Sequence, residues 1–322
     1  MPANLTPQYL EAEKRYRQAK TDEEKLSCLQ EMLALIPKHK GTEKLQAEIK
    51  TKISKLKRSF GKKSGAKRTI WYHIDKQGAG QVVIFGAPNS GKSALVKALT
   101  NAPTEIADYP FTTQKPVAGM LEYEDIQIQL IDTPPITEDS EPWVFHIIRS
   151  GDLAVWVIDL ADEQVLDTVK KTLELLLQAR ISPRPTTEMP YKKTIVVGSK
   201  YDEPKAETQL KSVQELLSDF NILPISVKRF INLEQLKRML FQGLDIIRVY
   251  TKKPGEPPDL KEPVILKAGS SVIDAAYHLH KDFAKTLNYA RLWDSNHYKG
   301  QRVERNHILK DKDIIEFHID LK

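Results

Sequence analysis

The chain has 322 residues, 40% of them hydrophobic and 29% charged, with a formal net charge of +6, one cysteine and eight histidines. That length supports two or three domains with cores of their own. No apolar run is long enough to span a membrane, and the lone thiol of Cys28 with scattered histidines excludes zinc chemistry.

Cys28 has no partner for an internal disulfide, which fits a reducing cytoplasm. The opening stretch, MPANLTPQYLEAEKRYRQ, lacks the apolar segment of a secretory signal. Residues 1–68 hold 17 Lys or Arg against 8 Asp or Glu, so the remainder carries −3. A basic arm on a near-neutral body points to a polyanionic partner, nucleic acid above all. The alternative is a solvated helix surface. Tyr9, Leu10, Tyr16, Leu26, Leu29, Met32, Leu33 and Leu35 recur mostly at helical spacings. Pro37 ends that stretch. A second helix is expected from about Thr42 to Arg58, with Leu45, Ile49, Ile53 and Leu56 along one stripe. Ser59 to Arg68 (SFGKKSGAKR) reads as a flexible basic linker.

A second domain is expected from about 69 to 249. Val82 to Phe85 read as a buried strand, and Gly86, Ala87, Pro88, Asn89, Ser90, Gly91, Lys92 and Ser93 follow, with a helical pattern from Ala94 onward. This is G-x-x-x-x-G-K-S with a strand before it and a helix after it, a phosphate-binding loop. Its glycines let backbone N–H groups close on phosphate oxygens, and the helix N-terminus adds free donors. Lys92 is suited to the β- and γ-phosphates, and the Ser93 hydroxyl to Mg²⁺. Val117–Tyr123 and Ile126–Ile131 read as a hairpin. Leu153–Leu160 and Thr194–Val197 read as buried strands, with a helix over Glu163–Arg180 between them. The alternation predicts a mainly parallel α/β sheet with its ligand at the carboxyl ends of the strands, where Gly86, Asp132 and Ser199 should meet.

Thr251–Pro258 (TKKPGEPP) reads as a linker into a third domain, 250–322. There a strand at Val264–Leu266, a helix over Ser271–Leu287 capped by Ser271, and strands at Ala290–Trp293 and Ile314–Ile319 make a small α+β module. Lys252, Lys253 and Arg291 could form an RNA-facing patch on it, or a solvated face. Asp159, at the end of a strand, reads as a capping residue.

The loop alone does not choose between kinases, ATPases and GTPases. Four further stretches do so together: Asp132-Thr133-Pro134-Pro135 after a strand, Ala107 to Thr113 (ADYPFTT) between helix and hairpin, Ser199-Lys200-Tyr201-Asp202, and Leu223-Pro224-Ile225-Ser226. The Tyr-Pro-Phe-Thr-Thr run behind the loop resembles the Obg-related GTPases. Ile247 to Lys252, Pro257-Pro258-Asp259, Pro263-Val264 and Asp311 to Ile315 resemble the TGS domain of the DRG branch, the developmentally regulated GTP-binding proteins. The resemblance implies a Ras-like P-loop GTPase domain and a β-grasp TGS domain behind a helical N-terminal region. It also implies binding of GTP and GDP, a slow hydrolysis, and ribosome- or RNA-associated work, with a regulatory protein as a further candidate partner. It assigns Ser93 and Thr113 to Mg²⁺, with Asp132 holding a metal-bound water. Phe111, Thr112 and Thr113 fall in the first switch, Lys200 under the guanine, Asp202 on its edge, and Ser226 beside it. Gly86 to Ser93 also matches the G-x-P-N-x-G-K-S of cation-activated GTPases, which implies K⁺ at Asn89 and a catalytic set of Lys92, Thr113 and Asn89; the alternative is that Asn89 bonds only the loop's own backbone. The alternative is a nucleotide-holding scaffold with little hydrolysis.

Three departures from the pattern bear on this. Ser199 replaces the Asn of N-K-x-D, Pro135 the Gly of D-x-x-G, and Ile136 the water-orienting Gln of Ras-like enzymes. The domain that the DRG branch inserts before its guanine motif has no room here, with only 38 residues between Leu160 and Ser199.

Overall fold

The computed structural model describes residues 7–18, 22–36, 42–60, 74–100, 105–106, 116–293 and 299–319. The chain divides into two compact units, Met1–Ile70 and Trp71–Lys322. Among the described residues the first holds three helices, α1 (Pro7–Gln18), α2 (Asp22–Leu35) and α3 (Glu43–Phe60). Tyr9, Ala12, Leu29, Met32, Ile36 and Ile49 form its small core, with Leu45 and Ile53 packed against it. So the apolar stripe of α3 docks within its own unit. Ser59 and Phe60, expected in the linker, belong to α3; the rest of it, residues 61–68, lies outside the described residues.

The second unit begins with a seven-stranded sheet in the order β2-β3-β4-β1-β5-β6-β7. Its strands are β1 (Gln81–Gly86), β2 (Glu105–Ile106), β3 (Val117–Tyr123), β4 (Ile126–Asp132), β5 (Leu153–Asp159), β6 (Thr194–Ser199) and β7 (Ile222–Pro224). The run β4-β1-β5-β6-β7 is parallel, and β3 returns antiparallel to β4 as the hairpin expected from its turn at Glu124-Asp125. Alternation along the strands divides the core in two. Val83, Phe85, Ala154, Trp156 and Ile158 face one layer, with Phe85 and Trp156 stacked at 6.1 Å. Val82, Ile84, Leu153, Val155 and Val157 face the other. Helices α5 (Pro142–Ser150), α6 (Val165–Gln178) and α7 (Ala206–Leu216) cover the first face; α4 (Lys92–Leu99) and α8 (Leu233–Gly243) cover the second.

A five-stranded sheet follows, in the order β11-β10-β12-β8-β9. It is built from β8 (Ile246–Lys252), β9 (Pro258–Lys267), β10 (Leu287–Trp293), β11 (Lys299–Val303) and β12 (Asp313–Ile319). Helices α9 (Val272–Leu279) and α10 (Lys281–Thr286) pack on it through Val272, Ala275, Ala276 and Ala284. Only β12 and β8 run parallel; the other pairs are antiparallel. Two expectations need correction. TKKPGEPP is not a linker: Thr251 and Lys252 end β8, Pro258 opens β9, and the residues between them form a hairpin turn with Gly255 at φ 80°. The helix expected over 271–287 is broken at His280, whose φ of −166° and ψ of 141° are extended, and Leu287 already belongs to β10. Ser271 does sit at the head of α9, where its N–H and hydroxyl both donate to the Asp274 carboxylate, at 2.8 and 2.7 Å. The boundary expected between 249 and 250 falls inside β8, which lies whole in this second sheet.

The two sheets are joined at Arg248 in β8. Its side chain is buried and reaches Glu124 and Asp125 at the β3–β4 turn, both at 2.6 Å, and Asp311 before β12 at 2.7 Å. Its guanidinium also lies 4.7 Å from the ring centre of Phe241 in α8. The basic patch expected on the third domain loses a member here. The Lys252 ammonium bonds Glu316 at 2.6 Å and sits 4.7 Å over Trp293, whereas Lys253 and Arg291 are exposed.

Candidate functional site

The parallel strands deliver their last residues to one edge of the first sheet: Gly86 from β1, Asp132 from β4, Asp159 from β5, Ser199 from β6 and Pro224 from β7. Side chains singled out from widely separated stretches thus gather on one rim, as open α/β sheets bind ligands.

The loop between β1 and α4 is shaped by two glycines. At Gly86 a Cβ would stand 2.3 Å from the Val157 carbonyl oxygen, so the loop can lie this close to β5 only with glycine. Gly91 has φ 91°, the left-handed conformation that turns the chain into α4 without steric cost. Asn89 is also left-handed, at φ 57°, and is exposed, as are Pro88, Ser93 and Ala94. Lys92 is buried and folds back on the loop, donating to the Ala87 carbonyl at 2.7 Å and to Ser90 Oγ at 3.3 Å. Burial lowers its pKa to about 8, and Asp132 acts to raise it.

Ser93 Oγ donates to Asp132 Oδ2 at 2.5 Å. The other carboxylate oxygen, Asp132 Oδ1, is buried with no hydrogen-bond partner among the described residues. Burial pushes the Asp132 pKa up, against the pull of Ser93 and Lys92. A hydroxyl and a carboxylate side by side, with one buried oxygen uncompensated, are hard oxygen donors that fit Mg²⁺. The first switch, with Phe111, Thr112 and Thr113, lies outside the described residues.

The loop after Asp132 is pinned to β1. Thr133 donates from its N–H and hydroxyl to the Ile84 carbonyl, at 3.2 and 2.9 Å, and the Ile136 N–H donates to the Gly86 carbonyl at 3.0 Å. Ile136 itself is buried in the core, 3% exposed. The Pro135 carbonyl accepts from Ser140 Oγ at 3.2 Å, and Ser140 Oγ accepts from the Thr137 N–H at 2.8 Å.

On the other side of the rim, Ser199 Oγ stands 2.7 Å from the Ser90 carbonyl and 3.1 Å from that of Ile158. One hydroxyl proton serves one of these at a time, so the serine ties β6 to the loop with fewer bonds than an amide offers. Asp202 Oδ1 accepts from Ser226 Oγ at 2.6 Å, which holds its pKa below the usual carboxylate range. Ser226 Oγ in turn accepts from the Arg229 N–H at 3.0 Å, and Lys228 lies 3.9 Å from Asp202 Oδ2. The Asp202 side chain is 6% exposed. Lys200, left-handed at φ 56°, pairs with Asp159 Oδ2 at 2.5 Å. From the sequence, Asp159 reads as a cap. It does accept the Ala161 N–H at 2.9 Å, but its second oxygen belongs to this rim. The one signal in the sequence is that Asp159 ends an apolar strand as Asp132 does; that it lies level with Ser199 follows from the β5–β6 register.

Comparison with known proteins bears on the whole chain. The family model described as a 50S ribosome-binding GTPase matches residues 81–190, and the TGS domain model matches 247–319. A GTP-binding protein of Methanocaldococcus jannaschii is 28% identical, over 91% of this chain and 92% of its own. Developmentally-regulated GTP-binding protein 2 of Mus musculus is 25% identical, over 91% of this chain and 98% of its own. The crystal structure of a complex of SsGBP and GDP superposes with a TM-score of 0.46 at 20% identity, over 72% of this chain and 71% of that one. The two family models in this order show a P-loop GTPase domain followed by a TGS domain, and over nine-tenths of its length the chain is similar to DRG-type GTP-binding proteins.

Proposed function

We propose that this protein is a slow Mg²⁺-dependent GTP hydrolase of the cytoplasm whose nucleotide state governs its association with ribosomes or RNA. The observation that supports the chemistry best is the meeting of Ser93 and Asp132 beside the buried Lys92. Ser93 and Asp132, with Thr113 from the first switch, would hold Mg²⁺, which when bound neutralises charge on the β- and γ-phosphates. Lys92 would exchange its bond to the Ala87 carbonyl for phosphate oxygens. Lys200 and Asp202 would take the base, and the Ser226 hydroxyl would keep the Asp202 carboxylate aimed.

A second reading, a nucleotide holder that scarcely hydrolyses, is favoured by Pro135 and Ile136. The proline has no N–H, and the Ile136 N–H is spent on the Gly86 carbonyl. Neither donates to a γ-phosphate in this arrangement, and the Ile136 side chain, buried in the core, does not orient water. Single-turnover GTP hydrolysis with and without ribosomes separates the readings. A rate that stays at the background of uncatalysed GTP in both conditions leaves the holder.

The same assay tests two finer points. Asn89 is exposed at the loop's apex, where its oxygen could hold K⁺ against the phosphates and supply the charge of an arginine finger. Hydrolysis should therefore be faster in KCl than in NaCl at equal ionic strength, and Asn89→Ser should abolish that preference. A variant that keeps it removes Asn89 from the catalytic set. Pro135→Gly should restore an N–H toward the γ-phosphate. A hydrogen bond to a charged group contributes about 1.5–3 kcal/mol, so selectivity for a non-hydrolysable GTP analogue over GDP should rise roughly tenfold. An unchanged ratio would mean that the second switch already senses the triphosphate without it.

Partner binding through the basic arm has its own signature. Residues 38–68 carry 12 Lys or Arg against 2 acids. Contacts of that kind release counterions, so ribosome affinity should fall steeply with salt. Removing residues 1–68 should flatten the slope and leave GDP binding intact. Sedimentation of the shortened chain at the same salt as the full one would pass the role to the TGS domain.

A further inference from the structure

Asp159 and Lys200 stand on neighbouring parallel strands, with Asp159 level with Ser199 in the β5–β6 register. The carboxylate divides its oxygens: Oδ1 accepts the Ala161 N–H at 2.9 Å and Oδ2 receives the Lys200 ammonium at 2.5 Å. Lys200 leaves β6 in the left-handed conformation, at φ 56°, yet its ammonium ends at the tip of β5. Adjacent strands are about 4.8 Å apart, so the methylene stem is stretched across the gap between two strand ends rather than free in solvent. The Asp159 side chain is 13% exposed and that of Lys200 40%, so the ion pair is sheltered on the carboxylate side and the stem keeps an open flank. Two residues on, Asp202 is held by Ser226.

We propose that Asp159 is a positioning residue for guanine recognition: it anchors the Lys200 ammonium so that the apolar stem forms a fixed floor for the base beside Asp202. The inference rests on the reading of Lys200 and Asp202 as the base-binding pair. A free lysine samples many rotamers and solvates its charge, and both must be given up when a ring lies along it. An anchored one has already lost that freedom and is already paired, so a purine can displace water from the stem without disturbing the charge.

Asparagine at 159 separates anchoring from capping, because its amide oxygen still accepts the Ala161 N–H while the charge on Lys200 is unmatched. Calorimetry of the full chain with GDP and Mg²⁺ should show Asp159→Asn weaker by about tenfold, the scale of one charge-assisted hydrogen bond. Lys200→Met should lose a similar factor, and the double variant should be no weaker than the weaker single. Asp159→Glu, which retains the charge, should recover most of the affinity even if its cap is imperfect. Independent, multiplying losses in the double variant would overturn the proposal, as would wild-type affinity in Asp159→Asn. If Asp159→Asn also melts at a lower temperature, the Asp159→Glu and double-variant results decide, since a structural defect would not vanish when Lys200 is absent. A parent protein that binds no GDP under these conditions would instead remove the base-binding reading, and the proposal with it.

Discussion

Arg248→Met should destabilise the unit formed by residues 71–322 by about 1.5–3 kcal/mol, the scale of a hydrogen bond to a charged group, because the Glu124, Asp125 and Asp311 carboxylates left behind are part-exposed and water can reach them. Arg248 is 2% exposed and is the common cation of three carboxylates from two sheets. Asp311 is held in a fork, Nη2 to Oδ2 at 2.7 Å and Nε to Oδ1 at 3.1 Å, and its Oδ1 also accepts the Arg248 backbone N–H at 2.8 Å. Tyr250 donates its hydroxyl to Asp125, and Lys312 meets Glu124 at 2.9 Å. Without the guanidinium, one lysine and one phenol face three acids. Arg248→Lys should recover little, because an ammonium cannot form the fork or stack flat on Phe241. Urea unfolding of the parent and both variants measures the difference, and a loss under about 1 kcal/mol would mean that the cluster is hydrated enough to need no cation.

The same junction should open in acid. Bonds to Arg248, first among the causes, hold the Glu124 pKa below its usual value. Burial raises that of Asp125, but bonds from Tyr250 and Arg248 outweigh it and leave it lowered too. Groups with depressed pKa values contribute stability above the ordinary carboxylate range and lose it as pH falls through their folded values. Arg248→Met should therefore show a shallower loss of stability below about pH 4 than the parent does.

What could be read from the chain beforehand divides by sequence distance. The phosphate loop was legible because all its determinants lie within one strand, one turn and one helix. The two-faced sheet was legible because β1 and β5 are apolar without alternation. Arg248 was not, because its partners Glu124, Asp125 and Asp311 lie 63 to 124 residues away and its own strand looks like any mostly apolar run that carries a cation or two. The turn after Lys252 was misread because Pro and Gly serve hairpins and linkers alike. The break at His280 carries neither residue; the chain turns there because Asp282 bonds the histidine ring, its N–H reaching Nδ1 at 3.2 Å. Asp159 was half-read, since its local bond to Ala161 is visible in the sequence and its bond to Lys200 depends on strand order.

Guanine selectivity should be the other large effect, with GDP bound at least about 10²-fold more tightly than ADP. The argument starts at the Asp202 carboxylate. It accepts at both oxygens, so it suits a base edge that presents two N–H donors, as N1 and N2 of guanine do, and opposes the bare N1 of adenine. The surrounding bonds keep it in that state. Ser226 is fully buried and its hydroxyl donates to Oδ1, so that oxygen is oriented rather than free to rotate. The depressed pKa means that it stays ionised throughout the neutral range. With 6% of the side chain exposed, water competes poorly for the remaining lone pairs. A site built in this way discriminates chiefly by the penalty of an unmatched polar group, which is larger than the gain from a matched one. Asp202→Asn replaces one acceptor by a donor that meets the guanine N–H head-on, and should cost GDP about the same factor of 10² while ADP, whose bare N1 no longer faces a carboxylate, binds no more weakly than before. Ser226→Ala keeps the charge and releases only its orientation, so its loss should be smaller, roughly tenfold. Calorimetry of the parent and both variants with each diphosphate gives the ranking, and equal affinities of the parent for GDP and ADP would take Asp202 out of the base site altogether.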